Sequence, residues 1–270
     1  MRPAAPLLFA ALVTASCNGP LYSRCDDPRN DCTNPTRGGE PIAHYRQSDP
    51  AARPPQGGPV DFRSAVVIGV DDYLESASGK VGDVWVQQRV ADVGFPGCAL
   101  DPVNGGRVCG MQLFAPTFIP AGSHLVVGDL VNVQGGAYDE FNCGTCSTQF
   151  DGRTLPEVGM PTVERVGTSP TPDPIDVTLA QLTDPAHADD YVGVLVRVTD
   201  TVTTMALSNR LEITIAPGVQ VTSQLTPLND PSTGQPIAAG TQIRNIVGIA
   251  SYFFSTKIIP RSVNDYEIVR

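Results

Sequence analysis

Lysine is almost absent from this chain of 270 residues, in which Lys80 and Lys257 are the only two. Asp and Glu outnumber Lys and Arg by 28 to 18, so the formal net charge at pH 7 is −10. Proteins bind phosphate backbones through basic side chains that displace counterions. The composition therefore argues against a protein built for tight, nonspecific binding of nucleic acid.

The signatures of catalysis are also missing from the sequence. No Gly-x-Ser-x-Gly elbow, Walker loop or His-Glu-x-x-His pattern occurs. The three histidines, His44, His124 and His187, are far apart and lie in Pro-, Gly- or Asp-rich contexts, which are typical of solvated loops. The sequence therefore predicts that the chain is not an enzyme.

Adjacent acidic residues recur at positions 26–27, 71–72, 139–140 and 189–190. Ca²⁺ prefers clustered oxygen ligands, but none of these pairs has the alternating Asp spacing that wraps a single ion. We therefore predict no cofactor and no metal-ligating residue, with a structural Ca²⁺ as the alternative.

What the chain does have begins with residues 1–17, where one Arg precedes a short apolar run that ends in small residues and Cys17. The run is too short to cross a bilayer and is typical of a secretory signal peptide. Small residues before Cys resemble a bacterial lipoprotein processing site, although Thr14 stands where Leu is usual. We predict that Cys17 is acylated and holds the protein in the cell envelope, at the outer membrane or the surface. The alternative is an ordinary secreted protein.

The cysteine count supports acylation, because removing Cys17 from the seven leaves an even number that can pair. In an oxidising compartment these six residues are predicted to form disulfides within three local pairs, Cys25 with Cys32, Cys98 with Cys109 and Cys143 with Cys146. The last bridge would be tight, so exchange with the second pair is an alternative. A redox role for the Cys-x-x-Cys pair is not favoured, because no helix follows it.

Residues 18–59 are polar and rich in Pro and Gly. A segment of this composition buries too little apolar surface to fold alone. It predicts a flexible tether between the lipid and a folded body.

From Val60 onward, strand-like segments alternate with turns, and the two halves of this part contain the same succession of four segments. The first half has GDVWVQQRV, GMQLFAP, IPAGSHLVVGDLVNVQGGAYDEF and TLPEVGMPTVERV, and the second has YVGVLVRVTDTV, LEITIAP, IAAGTQIRNIVGIASYFF and IIPRSVNDYEIV. This similarity predicts two copies of one unit.

Each unit holds about five short strands with an irregular connection before the fourth, which favours a small closed barrel over an open sandwich. We predict an all-β chain with two tandem Greek-key, OB-like barrels over residues 60–167 and 170–270. Residues 128–135, GDLVNVQG, form the predicted fourth strand, with Val131 and Val133 on one face.

Five segments extend this prediction to a known family, namely GDVWVQQ, GMQLFAP, VVGDLVNVQGGAYDEF, TLPEV and PIDVTLAQLTDPAHADDYVGVLVRVTDTVTT. In this order they resemble the OB-fold accessory region of bacterial extracellular nucleases, best over residues 64–204. The most specific positions are Gly128-Asp129 and residues 191–198. In those nucleases a catalytic domain follows, whereas this sequence ends at Arg270 directly after the second predicted barrel. The resemblance therefore implies the fold, and nuclease activity is not expected.

A row of polar and aromatic residues is the candidate ligand site. Strand alternation in VWVQQRV places Trp85, Gln87 and Arg89 opposite the core face, and Gln112 and Phe114 follow the same alternation in GMQLFAP. Such side chains suit stacking on bases or sugars. The alternative is that the second barrel or a neighbouring loop covers the aromatic residues.

Two functions of different classes follow. The first is a non-catalytic, lipid-anchored binding module whose first barrel holds single-stranded nucleic acid or a glycan. The second is a structural or docking envelope lipoprotein that binds other proteins through its loops. Burial of Trp85 would favour the second.

Overall fold

The computed structural model of the chain describes residues 39, 42–46, 53–71, 82–88, 109–121, 123–141, 154–186, 188–207, 212–253 and 255–270. The predicted signal peptide, most of the predicted tether and all cysteines except Cys109 lie outside these residues. Those cysteines are Cys17, Cys25, Cys32, Cys98, Cys143 and Cys146. Lipidation and the disulfides therefore stay predictions.

Within the described residues the chain forms strands and a few short helices. The first region contains α1 (Ile42–Tyr45), β1 (Val60–Val70), β2 (Val84–Gln88), β3 (Gly110–Phe114), β4 (Thr117–Ile119), β5 (Asp129–Gly135), β6 (Ala137–Phe141), β7 (Leu155–Gly159) and β8 (Thr162–Thr168). The second region contains β9 (Ile175–Val177), α2 (Leu179–Thr183), a 3-10 helix (Ala188–Tyr191), β10 (Leu195–Val198), β11 (Val202–Thr203), β12 (Ala206–Leu207), β13 (Ile213–Ala216), β14 (Val219–Val221), β15 (Gln242–Arg244), β16 (Ile246–Tyr252), β17 (Thr256–Ile259) and β18 (Glu267–Ile268).

The predicted all-β class is confirmed, because the described residues form three sheets and the helices among them are only four or five residues long. α2 begins with a capping box, in which the Thr178 side chain accepts from the Gln181 amide and the Gln181 side chain accepts from the Thr178 amide. No helix among the described residues is long and apolar enough to cross a membrane.

The first region is one eight-stranded sheet in the order β4-β8-β5-β1-β2-β3-β7-β6, with β4 and β6 at its edges. β3 runs parallel to β7, and β5 runs antiparallel to β8. Only Met160 and Pro161 separate β7 from β8. β7 and β8 therefore form one bent stretch of chain. This stretch connects the side of the sheet at β3 to the side at β5.

The second region divides its strands between a seven-stranded sheet, β12-β13-β14-β17-β16-β10-β9, and a three-stranded sheet, β11-β15-β18. Its pairings repeat those of the first region. Three antiparallel pairs correspond one to one: β10·β16 to β1·β5, β12·β13 to β1·β2, and β13·β14 to β2·β3. The parallel pair β14·β17 corresponds to β3·β7. Two further antiparallel pairs also correspond: β16·β17 to β6·β7, and β15·β18 to β5·β8.

This correspondence corrects part of the predicted repeat. The third and fourth segments of the two halves do occupy equivalent places in the pairing scheme. The first two segments are offset by one strand, because β2 has the pairings of β13 and not those of β10. Both segments end in Ala-Pro for a local reason. Proline lacks an amide donor, so β3 ends at Phe114, before Pro116, and β13 ends at Ala216, before Pro217, although the two strands hold different positions in their sheets.

The Gly128-Asp129 turn enters β5 through a specific set of contacts. Gly128 has a φ of 94°, which glycine adopts without strain. The Asp129 carboxylate accepts from the amide of Val126 at 3.0 Å and from Nε of Arg165 at 2.6 Å. This buried carboxylate therefore fastens the turn to the neighbouring strand β8.

Each region has its own apolar core. Val131 and Val133 of β5 and Val84 and Val86 of β2 all lie in the core of the first region, as their alternation predicted. A second, separate core forms between the strands of the second region and includes Cys109.

The predicted tether over 18–59 is not flexible throughout. Ile42 and Tyr45 of α1 are buried in the first core. The amide of Ile42 donates to Oε1 of Gln88 at 2.7 Å, and the Tyr45 hydroxyl accepts from the amide of Asp61 at 3.1 Å. Two apolar side chains and their hydrogen bonds thus hold this part of the segment on the first sheet.

Candidate functional site

Two members of the predicted ligand row, Trp85 and Gln87, lie in the contact between the two regions. Trp85 is 1% exposed and belongs to an interface cluster of five buried residues. The cluster consists of Ile68 and Trp85 from the first region and Leu195, Ile249 and Ile259 from the second. The second region therefore covers Trp85, which is the alternative that the sequence had left open.

The other described members of the row are divided between the interface and the surface. Gln87 is buried, and its Oε1 accepts from the amide of Leu195 in the second region at 2.9 Å. Gln112 is also buried, whereas Phe114 is 42% exposed. Arg89 lies outside the described residues. The five residues do not form one accessible row.

Glycines bring the two backbones together at the same interface. A Cβ added to Gly110 would lie 2.1 Å from the carbonyl carbon and oxygen of Gly193, and one added to Gly69 would lie 2.4 Å from Cδ1 of Ile249. Real Cβ atoms do not approach other atoms so closely. The two regions therefore meet through backbone contact that only glycine permits.

Arg46 bridges this contact from the N-terminal segment. Its Nη1 donates to the carbonyl of Gly110 at 3.0 Å and to that of Val192 at 2.7 Å, and its Nη2 donates to the carbonyl of Asp189. The residue is buried, and burial lowers the pKa of its guanidinium. One charged side chain thus satisfies backbone carbonyls of both regions at once.

A small cleft opens beside Arg46. Its walls are formed by Arg46, Arg53, Glu140, Thr154, Pro156, Asp189 and Asp190, and its volume is about 30 Å³. This volume is enough for one or two water molecules.

Glu140 accepts hydrogen bonds from several side chains at this cleft. Nη1 of Arg53 donates to its Oε1 at 2.5 Å, and the Thr154 hydroxyl donates to its Oε2. The Tyr138 hydroxyl lies within hydrogen-bonding distance of Oε1 and, at 2.7 Å, of the Tyr45 carbonyl. Burial raises the pKa of Glu140, but the hydrogen bonds from Thr154 and Tyr138 and the charge of Arg53 outweigh burial and lower it overall.

The neighbouring phenol is shifted in the opposite sense. Burial, followed by its hydrogen bond to Glu140, raises the pKa of Tyr138. At neutral pH the carboxylate therefore stays ionised and the phenol stays protonated. General acid–base chemistry works best with groups that titrate near the working pH. This arrangement suits a fixed structural contact better than proton transfer. We call this contact, formed by Arg46, Tyr138 and Glu140, the joint.

A second polar contact crosses the interface at the ends of β1 and β2. The Gln224 side-chain amide donates to Oδ2 of Asp71 at 3.1 Å and lies 3.5 Å from Oδ2 of Asp83. Both carboxylates are buried. Among the described residues, no group of three or more His, Cys, Asp or Glu side chains could hold a metal ion.

Sequence reasoning did not find the residues of this joint. Arg46 lies in a polar segment that composition assigns to a tether, and its carbonyl partners leave no trace in side-chain patterns. Tyr138 and Glu140 alternate on β6, which was the one usable signal, because a carboxylate two residues from a core tyrosine faces the same side.

Comparison with known proteins finds no matching family model and no significantly similar curated protein or solved structure.

Proposed function

We propose that this chain is a non-catalytic docking protein of the bacterial cell envelope, anchored through a lipid on Cys17, that binds other proteins. The observation that carries the proposal is the burial of Trp85 against the second region. Burial removes the stacking platform on which binding of a nucleic acid or glycan would depend. The two regions instead pack against each other through this face, which leaves docking of proteins on other surfaces as the favoured function.

We also propose that each region is an OB-like barrel, related to the accessory region that the sequence resembles in extracellular nucleases. The support is the pairing scheme. In the first region β1 pairs with β2 and β5, β2 with β3, β3 with β7, and β5 with β8. Because β7 and β8 are two parts of one bent stretch, this path returns on itself as in a five-stranded OB barrel.

This interpretation makes the position of Trp85 informative. OB folds bind oligonucleotides and oligosaccharides on the face of the second and third strands. In the first region these strands are β2 and β3, which carry Trp85 and Gln112. The second region covers Trp85 on that face. In this protein the face therefore forms the contact between the two regions and does not bind a ligand.

Intrinsic fluorescence tests the choice between docking and ligand binding, because Trp85 is the single tryptophan. We expect blue-shifted emission in the free protein and no response to short oligonucleotides or cell-surface oligosaccharides. Calorimetric titration of the same panels serves as a second, fluorophore-independent readout. Saturable binding to either panel, with a change in Trp85 emission, would contradict the docking function and favour ligand binding.

Anchoring and partner binding are tested in the native envelope. Mass spectrometry of the mature N-terminus should find acylated Cys17, and Cys17→Ser should give an unprocessed or soluble protein. Chemical crosslinking followed by binding of the purified partner should identify at least one protein. An unmodified terminus beyond Cys17 would contradict the anchor, and turnover of a phosphate ester that survives repurification would contradict a non-catalytic protein.

A further inference from the structure

The outer face of β3, β7 and β6 is covered at one end and open at the other. The register places Phe114 beside Gly159, and Gln112 and Asp139 on either side of Glu157. Paired residues in a sheet point to the same side. These side chains therefore share the face that points away from the first core.

The covered end of this face belongs to the contact with the second region. Leu155 is buried against Val192 and Tyr252, and Phe141 packs partly against them. The ring of Phe141 also stacks on Phe253 at a centroid distance of 6.0 Å. The open end continues directly from an apolar interface that the molecule already uses.

Two exposed apolar residues are backbone neighbours at the open end. Phe114 is 42% exposed and Met160 is 63% exposed, and the amide of Met160 donates to the carbonyl of Phe114 at 2.8 Å. Met160 in particular buries little of its apolar surface within the chain.

The backbone at Met160 makes this exposure notable. Its φ is 51°, a left-handed conformation that costs a residue with a Cβ about 1–2 kcal/mol and that glycine adopts freely. A largely exposed methionine does not offset that cost through contacts with its own chain. An apolar contact with a partner would offset it, and methionine is well suited to adaptable binding surfaces.

The charge of the face selects the kind of partner. Asp139 is exposed, and Glu157 lies directly across from it on the neighbouring strand. A second copy of this chain would bring the same carboxylates and a net charge of −10, and an anionic lipid surface would also be repelled. Basic side chains complement this face.

We propose that this open face, formed by Phe114, Met160, Asp139 and Glu157, binds a polypeptide segment of a partner protein in which basic and apolar side chains alternate. The inference rests on the proposed docking function and assigns it a surface and a partner chemistry. Gly57 and Gly58 already hydrogen-bond the backbone of Tyr138 in the edge strand β6. The segment therefore binds across the face through its side chains, and it does not extend the sheet there.

Fluorescence anisotropy with a defined probe tests this surface on the full chain. The probe is a labelled, capped peptide of about nine residues, ~30 Å long when extended, in which Val and Lys alternate. Two control peptides carry Glu in place of Lys or Ser in place of Val. We expect binding of the Val/Lys peptide alone, weakened roughly tenfold between about 0.05 M and about 0.5 M NaCl.

Variants then locate the binding. Met160→Gly removes the apolar side chain and relieves the left-handed backbone, so it leaves the fold intact and should weaken binding roughly fivefold. Phe114→Ser should have a similar effect, and Asp139→Asn should reduce the salt dependence. Val127→Ser is the matched control, because Val127 is 44% exposed elsewhere and should not affect binding.

The possible outcomes distinguish failure of this proposed surface from failure of the proposed docking function. Equal binding by Met160→Gly and the unchanged protein, or equal weakening in Val127→Ser, overturns the proposed surface. Panning a displayed random-peptide library on the full chain decides the rest. Selected peptides that bind independently of Phe114 and Met160 leave the docking function in place and discard this face, whereas no enrichment speaks against both.

Discussion

The two regions of the molecule share one scheme of strand pairing but use their outer faces differently. In the first region Trp85 and Gln87 share the outer face of β2, and the second region buries both, Gln87 through a hydrogen bond from the amide of Leu195. In the second region the face of β17 changes along its length. Ile259 packs into the same interface cluster, whereas Lys257, two residues earlier, binds Glu212 at 2.8 Å. Pairing thus determines the sheet, and the outward side chains determine what the sheet packs against.

The connections between equivalent strands differ as well. Residues 89–109 join β2 to β3, whereas Pro217 and Gly218 alone join β13 to β14. Loop closure becomes only slowly less favourable with length. One pairing scheme therefore tolerates both connections, and similarity of the two halves fades most where loops differ.

The largest expected effect comes from Trp85→Ala, which removes the centre of the interface cluster. The cavity should lower the free energy of unfolding by about 3–5 kcal/mol. Phe114→Ala is the matched control, because this aromatic is 42% exposed on the neighbouring strand and its removal should cost less than about 1 kcal/mol. Urea unfolding followed by circular dichroism measures both, and equal losses would contradict the buried interface.

Arg46→Ala should rank second. It leaves the carbonyls of Gly110, Val192 and Asp189 without this donor, which should cost about 2–4 kcal/mol. Arg197→Ala, which removes the exposed ion pair with Asp176, should cost less than about 0.5 kcal/mol. Thermal unfolding of both variants decides whether Arg46 fastens the joint.

Gly110→Ala should have the third largest effect, because it forces the two regions apart. The added methyl group overlaps the Gly193 backbone, and such overpacking costs about 1–3 kcal/mol. The control is Gly167→Ala, where an added Cβ meets nothing within 4 Å. A loss of stability in Gly110→Ala with two separated unfolding transitions would show that the regions can unfold independently.

The smallest effect concerns pH and Glu140. Because its folded pKa lies below the ordinary value of 4.5, the carboxylate stabilises the fold above that value and loses this contribution as the pH falls through the folded pKa. Stability should therefore fall less steeply between about pH 5 and about pH 3 in Glu140→Gln than in the unchanged protein. Thr154→Val, which removes one hydrogen bond to Glu140, should lie between the two.

The sequence contains enough to predict the strand-rich class and many inward positions, because alternation is a local property. Val84, Val86, Val131 and Val133 all lie in the first core. Alternation also placed Trp85 on the opposite face correctly, but a strand pattern does not say what lies over that face. The side chains of Leu195, Ile249 and Ile259 cover it from over a hundred residues away.

The contacts between the two regions could not be predicted from local sequence patterns, for another reason. Arg46 binds backbone carbonyls, and any residue type supplies a carbonyl. The Gly110 to Gly193 contact likewise depends on two glycines among many. Composition correctly describes residues 18–59 as poor in apolar residues, yet Ile42 and Tyr45 suffice to dock the segment.

The position of Arg46 also determines how the body responds to mechanical load. A pull transmitted along the chain from before Ile42 reaches the folded part at a segment hydrogen-bonded to both regions. Such a pull therefore loads the hydrogen bonds of Ile42 and Arg46 to both regions before it reaches β1, which begins at Val60.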